Sequence, residues 1–442
     1  MIITGLSHGF HDAAISKINS DGEIIYAAHS ERFSRIKNDP ELSAALEIEG
    51  TTVFYEKPFL KNLRRLYAGQ SWKSRPKYDR YVSHHWSHAA AAYYTRPNTT
   101  VEPVCVVIDA IGEWDTCSIW YKKKKVWSKR YPFSLGLFYS AITKAVDLRP
   151  NEDEYITMGM AAYGEPRYDL SYLLDYDLHR GLDKDFMKQA RKEDVAASAQ
   201  QLIENQIVEI MKIARKYSAD LCYGGGVALN CVANSKVASM FDNVWIMPNP
   251  GDAGSSLGAA AAYLNKKLNW QGPYLGTDIK KKINPKRVAK YLLENKICGV
   301  ANGRAEFGPR ALGNRSLLAD PRYDLHDTVN DIKRRQRYRP FAPAILEEFA
   351  DEYFDGPMNK YMQFVANSKH DYRSVMHVDR SARVQLVTKE CKTILRPILE
   401  EWYQLTQCPM LLNTSLNIKG QPMVDNEKDA KEWSKTYNVK VF

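Results

Sequence analysis

Nowhere in this 442-residue chain do apolar residues run to the roughly 18 consecutive positions that a membrane helix needs, so no spanning segment is expected. The opening residues, Met1 to His8, carry neither a basic region nor an apolar core, and a secretory leader is not expected either. Cysteine is scarce. There are seven, none in a Cys-x-x-Cys pair, and the odd number leaves one without a partner. That usage suits a reduced, cytoplasmic protein whose cysteines serve packing. Low-complexity tracts and repeats of solenoid period are also missing, which excludes linker-like and repeat architectures.

What is present describes a soluble globular chain too long for a single core, so two or more domains are expected. The net charge of +10 suits a nucleic-acid partner or an anionic small substrate without choosing between them. Lys122–Lys125 falls between two strand-like runs, Cys117–Tyr121 and Val126–Tyr131, as the tip of a hairpin. The turn-rich and then basic stretch Gly272–Pro285 reads as a linker, which divides the chain into domains 1–285 and 286–442.

Strands and helices alternate along the chain. Ile2–Leu6 and Glu23–Ala28 read as a hairpin turning at Ser20-Asp21-Gly22. Val104–Asp109 is a buried strand that delivers an acid at its tip, and Val195–Ala214 has helical spacing with Glu193 and Asp194 at its N-terminus. Two strand-to-loop transitions follow, one into Gly224-Gly225-Gly226 and one into Gly251-Asp252-Ala253-Gly254. Loops of this kind let backbone N–H groups approach an anion. The whole predicts an α/β protein.

Two constellations carry chemistry. Arg304, Arg310, Arg315, Lys333, Arg335 and Arg339 cluster among glycines, prolines and turn residues between Asn302 and Pro343. Arginine's planar fork captures phosphate or carboxylate in two-point fashion, so an oxyanion pocket is expected. His84 and His88, four apart before an alanine run, would share one helix face; Asp109 and Asp252 at loop tips could complete a mixed metal shell.

His11-Asp12-Ala13-Ala14, Glu31–Arg35, the His84/His88 pair, Gly224–Asn230 and Gly251–Gly254 occur in an order that resembles the nodulation-protein and antibiotic O-carbamoyltransferase family. The C-terminal half resembles it further through Gly303–Ser316, Lys333–Pro343, His377-Val-Asp379, Ala382–Gln385 and Leu412–Asn417. The resemblance implies an ASKHA-type N-terminal domain of two RNase H-like halves, followed by a YrdC-like α/β domain. It implies that the second domain makes carbamoyl adenylate from carbamoyl phosphate and ATP with Mg2+, and that the first passes the carbamoyl group to a hydroxyl.

On that reading Lys333 and Arg335 are catalytic in adenylation. Arg304, Arg310, Arg315, Arg339, Arg383, Asn413, Ser415 and Asn417 bind substrates, with Gly224, Gly225, Gly226 and Asn230 lining the nucleotide loop. Iron or zinc would sit on His84, His88, Asp109 and Asp252, with His11 as general base. Departures from the family pattern stand at Ile156, Arg380, Lys419 and Gln421. They leave the acceptor open between a 5-hydroxymethyl pyrimidine in DNA, such as 5-hydroxymethylcytosine, and a hydroxyl of an antibiotic, sugar or glycan. A homodimer is left open, and a catalytically silent ASKHA-like binding module is the alternative from another class.

Overall fold

Ile2–Ser7 (β1) is buried along nearly its whole length, as a strand flanked on both sides must be. On one side it pairs antiparallel with Ala14–Asn19 (β2), which pairs antiparallel with Ile24–His29 (β3). On its other side lies the parallel strand Thr51–Phe54 (β4), followed by Arg80–Tyr81 (β5). The turn expected at Ser20-Asp21-Gly22 therefore joins β2 and β3, and β1, at the sheet's centre, pairs with β2 and not with β3.

The same pattern recurs later in the chain. Val104–Ile108 (β6) is the buried centre, with Asp115–Tyr121 (β7) and Lys124–Arg130 (β8) antiparallel on one side. Asp220–Gly224 (β9) and Asn243–Ile246 (β10) are parallel on the other. Both sheets thus follow the order 3-2-1-4-5, and the duplication is the paired RNase H-like arrangement of an ASKHA-type fold. Lys122 and Lys123 form the β7–β8 turn with positive φ values of 49° and 62°, as a two-residue hairpin turn of the primed type demands.

The computed structural model describes residues 1–73, 76–183 and 185–442. They form two compact units: Met1–Ser30 with Asn38–Gln271, and Glu31–Lys37 with Gly272–Phe442. Two expectations change here. The linker begins with a strand, Tyr274–Ile279 (β11), paired antiparallel with Gly303–Glu306 (β13), so the division expected after residue 285 falls before residue 272. The Glu31–Arg35 motif, read as part of the first domain, belongs to the second unit. There Arg32 donates to the Val424 carbonyl, and Arg35 donates to the carbonyls of Met423 and Pro422.

The second unit is α/β as well. Its main sheet runs Ile297–Ala301 (β12), Arg315–Ala319 (β14), Met410–Ser415, Ala342–Leu346 (β15), Gln385–Val387. All neighbours are antiparallel except the last pair. Helices Pro285–Asn295 and Leu395–Thr406 cover one face, where Trp402 is fully buried beside Val288, Leu292 and Leu399. Leu317, Phe341 and Trp433 belong to the other hydrophobic cluster.

Two helices of the first unit, His84–Thr95 and Asp252–Leu264, cross at very short range. A Cβ on Gly258 would lie 1.8 Å from the Ser87 carbonyl oxygen, closer than any side chain permits. Gly258→Val should therefore cost about 3 kcal/mol of stability, read as a lowered denaturant midpoint, because the helices must separate. A midpoint equal to wild type would contradict that close approach.

Candidate active site

The crossing of these two helices brings four donors together. His84 Nε2 lies 2.8 Å from Asp109 Oδ2 and 3.5 Å from Asp252 Oδ1, and His88 Nε2 lies 3.5 Å and 3.2 Å from the same oxygens. The two Nε2 atoms are 3.1 Å apart. Ligands held about 2.1 Å from one ion stand roughly 3 to 3.5 Å from each other, so the set has the dimensions of a metal shell. All four residues are buried, and they are a potential metal-holding group among the described residues.

Two of these side chains, His88 and Asp109, are held from behind. His88 Nδ1 lies 3.0 Å from both the Pro250 carbonyl and Ser255 Oγ. Donation to the carbonyl fixes the tautomer that turns the Nε2 lone pair toward the cluster. Asp109 Oδ1 accepts from the Gly226 N–H at 3.0 Å, which leaves Oδ2 facing the imidazoles. The backbone N–H of His84 donates to Glu113 Oε1 at 3.0 Å, so a carboxylate holds the start of the histidine helix, where the helix dipole favours negative charge.

The charges are mutually dependent. Burial works against protonating the imidazoles, but the two aspartates outweigh it: His88 is held up at about 10 and His84 is raised. Burial likewise opposes ionised carboxylates, yet the imidazoles keep Asp109 well below the usual range and Asp252 below it too. Two buried carboxylates here need positive charge nearby, and protons or a divalent cation can both supply it. His85 stands apart. Burial, and then His84, push it well down, and its Nδ1 is 2.7 Å from Ser118 Oγ.

His11 is half-buried, its Nδ1 3.0 Å from Asp12 Oδ2. Burial lowers its basicity, but Asp12, Asp252 and Asp109 together raise it to about 9. The glycine loop has a different task from the one expected. Gly225 has φ of 92°, and a Cβ there would meet the Ile108 carbonyl at 2.1 Å. Its N–H donates to Pro250, and that of Gly226 goes to Asp109. The loop therefore seats Asp109, and these two N–H groups already have acceptors. The Asn230 amide caps its helix at Ala233 and pairs in both directions with Gln200.

In the second unit, Lys333 meets two residues more than 80 positions later in the chain. Its Nζ donates to Asn417 O and Oδ1, each at 3.0 Å, to Ser415 Oγ at 3.3 Å and to the Ser415 carbonyl. Ser415 Oγ lies 2.7 Å from Asn417 Oδ1. Burial, then Arg335 and Arg339, push the Lys333 ammonium well down. Arg335 donates to Asn330 Oδ1 at 2.5 Å and stacks 4.1 Å over Phe341. Asn413 donates to Gln385 and Ala311 while its buried Oδ1 meets no donor. Arg383 keeps a buried Nε without an acceptor, and Arg310 is partly exposed.

The arginine-rich loop holds an anion of its own. Glu306 Oε1 accepts from the N–H groups of Leu312, Asn314 and Arg315 at 2.8, 2.9 and 3.3 Å. Arg315 is fully buried and donates to the carbonyls of Asp425, Asn302, Gly303, Asn314 and Thr277. Arg304 donates to Leu275 and Gly276. These two arginines tie β11 and the loop together, and the anion expected in the pocket is here the buried Glu306. Glu306, Glu113 and Ser255 went unread in the sequence. The capping and nest roles of these residues depend on partners that carry no local spacing signal.

Comparison with known proteins shows the family. Residues 49–181 and 176–261 match the profile described as carbamoyltransferase N-terminus, and residues 289–442 match carbamoyltransferase C-terminus. An uncharacterised protein of Synechocystis is 30% identical over 576 aligned positions, covering 97% of this chain and 93% of that protein. Nodulation protein NolNO of Sinorhizobium fredii is 29% identical over 95% of this chain and 76% of its own length. Among solved structures, the activator of 2-hydroxyisocaproyl-CoA dehydratase from Clostridium difficile is similar at TM-score 0.41 and 13% identity, over 60% of this chain and 95% of that one. Full-length HypF is similar at TM-score 0.32 and 13% identity, over 60% and 55%. With both profiles matched across most of its length, this chain belongs to the carbamoyltransferase family.

Proposed function

We propose that this carbamoyltransferase makes carbamoyl adenylate in its second unit and transfers the carbamoyl group to a hydroxyl in its first, the acceptor being a 5-hydroxymethyl pyrimidine in DNA. The observation that carries the adenylation half is the meeting of Lys333 with Ser415 and Asn417. A buried lysine beside two arginines is a repelling set of cations, and phosphate oxygens would relieve that repulsion. In balanced form, carbamoyl phosphate loses its phosphate to water, and a carbamate oxygen attacks the α-phosphorus of ATP. Pyrophosphate leaves with the electron pair of the broken P–O bond. Lys333, Arg335 and Arg339 would hold these phosphates in line.

In the first unit His84, His88, Asp109 and Asp252 would hold a divalent ion, iron or zinc. Their mixed nitrogen and oxygen donors suit either. Bound there, the ion would polarise the adenylate phosphate. His11 takes the acceptor's proton while the alkoxide attacks the carbamoyl carbon, and AMP departs. Occupation of Asp109 and Asp252 by a cation would weaken two of the charges that raise His11, which favours its neutral, proton-accepting form. The DNA acceptor draws its support from the net charge of +10.

Lys333→Ala or Arg335→Ala should abolish pyrophosphate release from ATP plus carbamoyl phosphate; normal release in both variants would refute the adenylation site. His84→Ala with His88→Ala should remove nearly all bound metal, measured by elemental analysis. In the wild type, metal should be lost on acidification, since histidine and carboxylate ligands must shed their protons to bind. Undiminished stoichiometric metal in the double variant would return the four residues to a plain ion-pair cluster. His11→Asn should keep metal and pyrophosphate release while transfer falls by about 10² to 10⁴, the usual contribution of a general base. Transfer at the wild-type rate would remove His11 from the reaction.

A further inference from the structure

One helix of the first unit is built inside out. Pro58–Tyr67 buries Asn62 and Arg64 and turns Phe59, Leu63, Leu66 and Tyr67 to the outside. An ordinary surface helix does the reverse. From Lys57 to Arg80 the sequence holds eight lysines and arginines and a single acid, Asp79, with Phe59, Tyr67, Trp72 and Tyr78 spaced among them. Asp79 is already engaged, accepting from the Thr52 N–H and hydroxyl at 2.9 and 2.8 Å. Large exposed rings set among cations are what stacking bases and phosphates require together.

The surface is preorganised. The buried Asn62 amide clamps residue 73, donating to its carbonyl at 2.8 Å and accepting its N–H at 3.1 Å. Arg65 Nε donates to the Ser71 carbonyl at 3.0 Å, folding the following loop back along the helix. That places Trp72 6.1 Å from Phe59, ring to ring, both about half exposed. Arg64 is only 3% exposed, and two of its guanidinium nitrogens meet no hydrogen-bond acceptor.

Its root adjoins the four-donor cluster. Glu113 Oε1 accepts from the backbone N–H of Lys57, at the start of this helix, at 2.8 Å, and from that of His84, the first residue of the histidine helix, at 3.0 Å. The family profile for the N-terminus matches in two stretches that meet at residues 176–181. Gln70, just past the helix, is hydrogen-bonded to His179.

We infer that residues 57–73 and 76–81 form a binding platform for a single nucleic-acid strand, with Tyr67 and Trp72 stacking on bases and Lys73, Lys77 and Arg65 contacting phosphates. This rests on the DNA-acceptor reading and names the surface that would serve it. A target base must leave its duplex to be modified inside an enzyme, and an open single-strand platform beside the site suits that demand.

The test measures binding of a fluorescein-labelled single-stranded DNA oligonucleotide by anisotropy across salt concentrations, with the full chain. Each phosphate contact contributes about 0.7 to the log–log salt slope for single strands, so Lys73→Ala with Lys77→Ala should lower the slope by roughly 1.4. Tyr67→Ala and Trp72→Ala should each weaken binding roughly 5- to 150-fold at an unchanged slope, and Trp72→Phe should restore most of it. Thermal melts establish that the variants are folded. Pyrophosphate release, followed in parallel, separates the two layers. Release without DNA binding, or binding indifferent to these substitutions, overturns the platform and leaves the transferase standing; loss of release in the wild type would instead overturn the adenylation reading. A concentration-dependent dimer abolished by Leu63→Glu, with DNA binding intact, would assign the face to a second copy of the chain and overturn the platform likewise.

Discussion

Two buried aspartates set the terms for the first unit. Asp109 stands at the tip of β6 and Asp252 at the start of a helix; neither can stay ionised away from water without positive charge close by. His84 and His88 bring that charge, and the helix crossing at Gly258 brings the donors within reach of one another. The glycine loop after β9 is shaped by the same demand, since it lends Asp109 an N–H and lies flat against the end of β6. Remove the close approach and the cluster has no geometry.

Much of this could be read from the sequence, and for identifiable reasons. Histidines four apart before an alanine run fall on one helical face by backbone periodicity alone. A continuous apolar run ending in an acid marks a central strand with a polar tip, as β6 proves to be. The doubling of the β-sheet order was implied by the family resemblance and not by periodicity, because strands as short as Arg80–Tyr81 leave too little alternation to detect.

The misreadings share one cause. Arg304 and Arg315 carry the residue type of an oxyanion site, but their partners are backbone carbonyls as far away in sequence as Asp425. Glu306, the acid that gathers the loop's N–H groups, has no spacing rule that would have singled it out. Glu31–Arg35 leaves the first unit for the same reason, drawn by carbonyls between Pro422 and Val424. Lys333 lies more than 80 positions before Ser415 and Asn417; the three, all named from the family resemblance, meet only in the fold. The segment 57–80 shows its basic and aromatic character in composition. Its significance emerges only with the inverted helix, since burial of Asn62 and Arg64 is a tertiary fact.

A cation at the four-donor cluster is tested most directly by anomalous diffraction from crystals of the protein as purified, recorded on both sides of the iron and zinc absorption edges. The expected result is a single peak in contact with His84 Nε2, His88 Nε2, Asp109 Oδ2 and Asp252 Oδ1. Side chains still paired directly with each other, with no peak between them even after soaking in either metal, would contradict it.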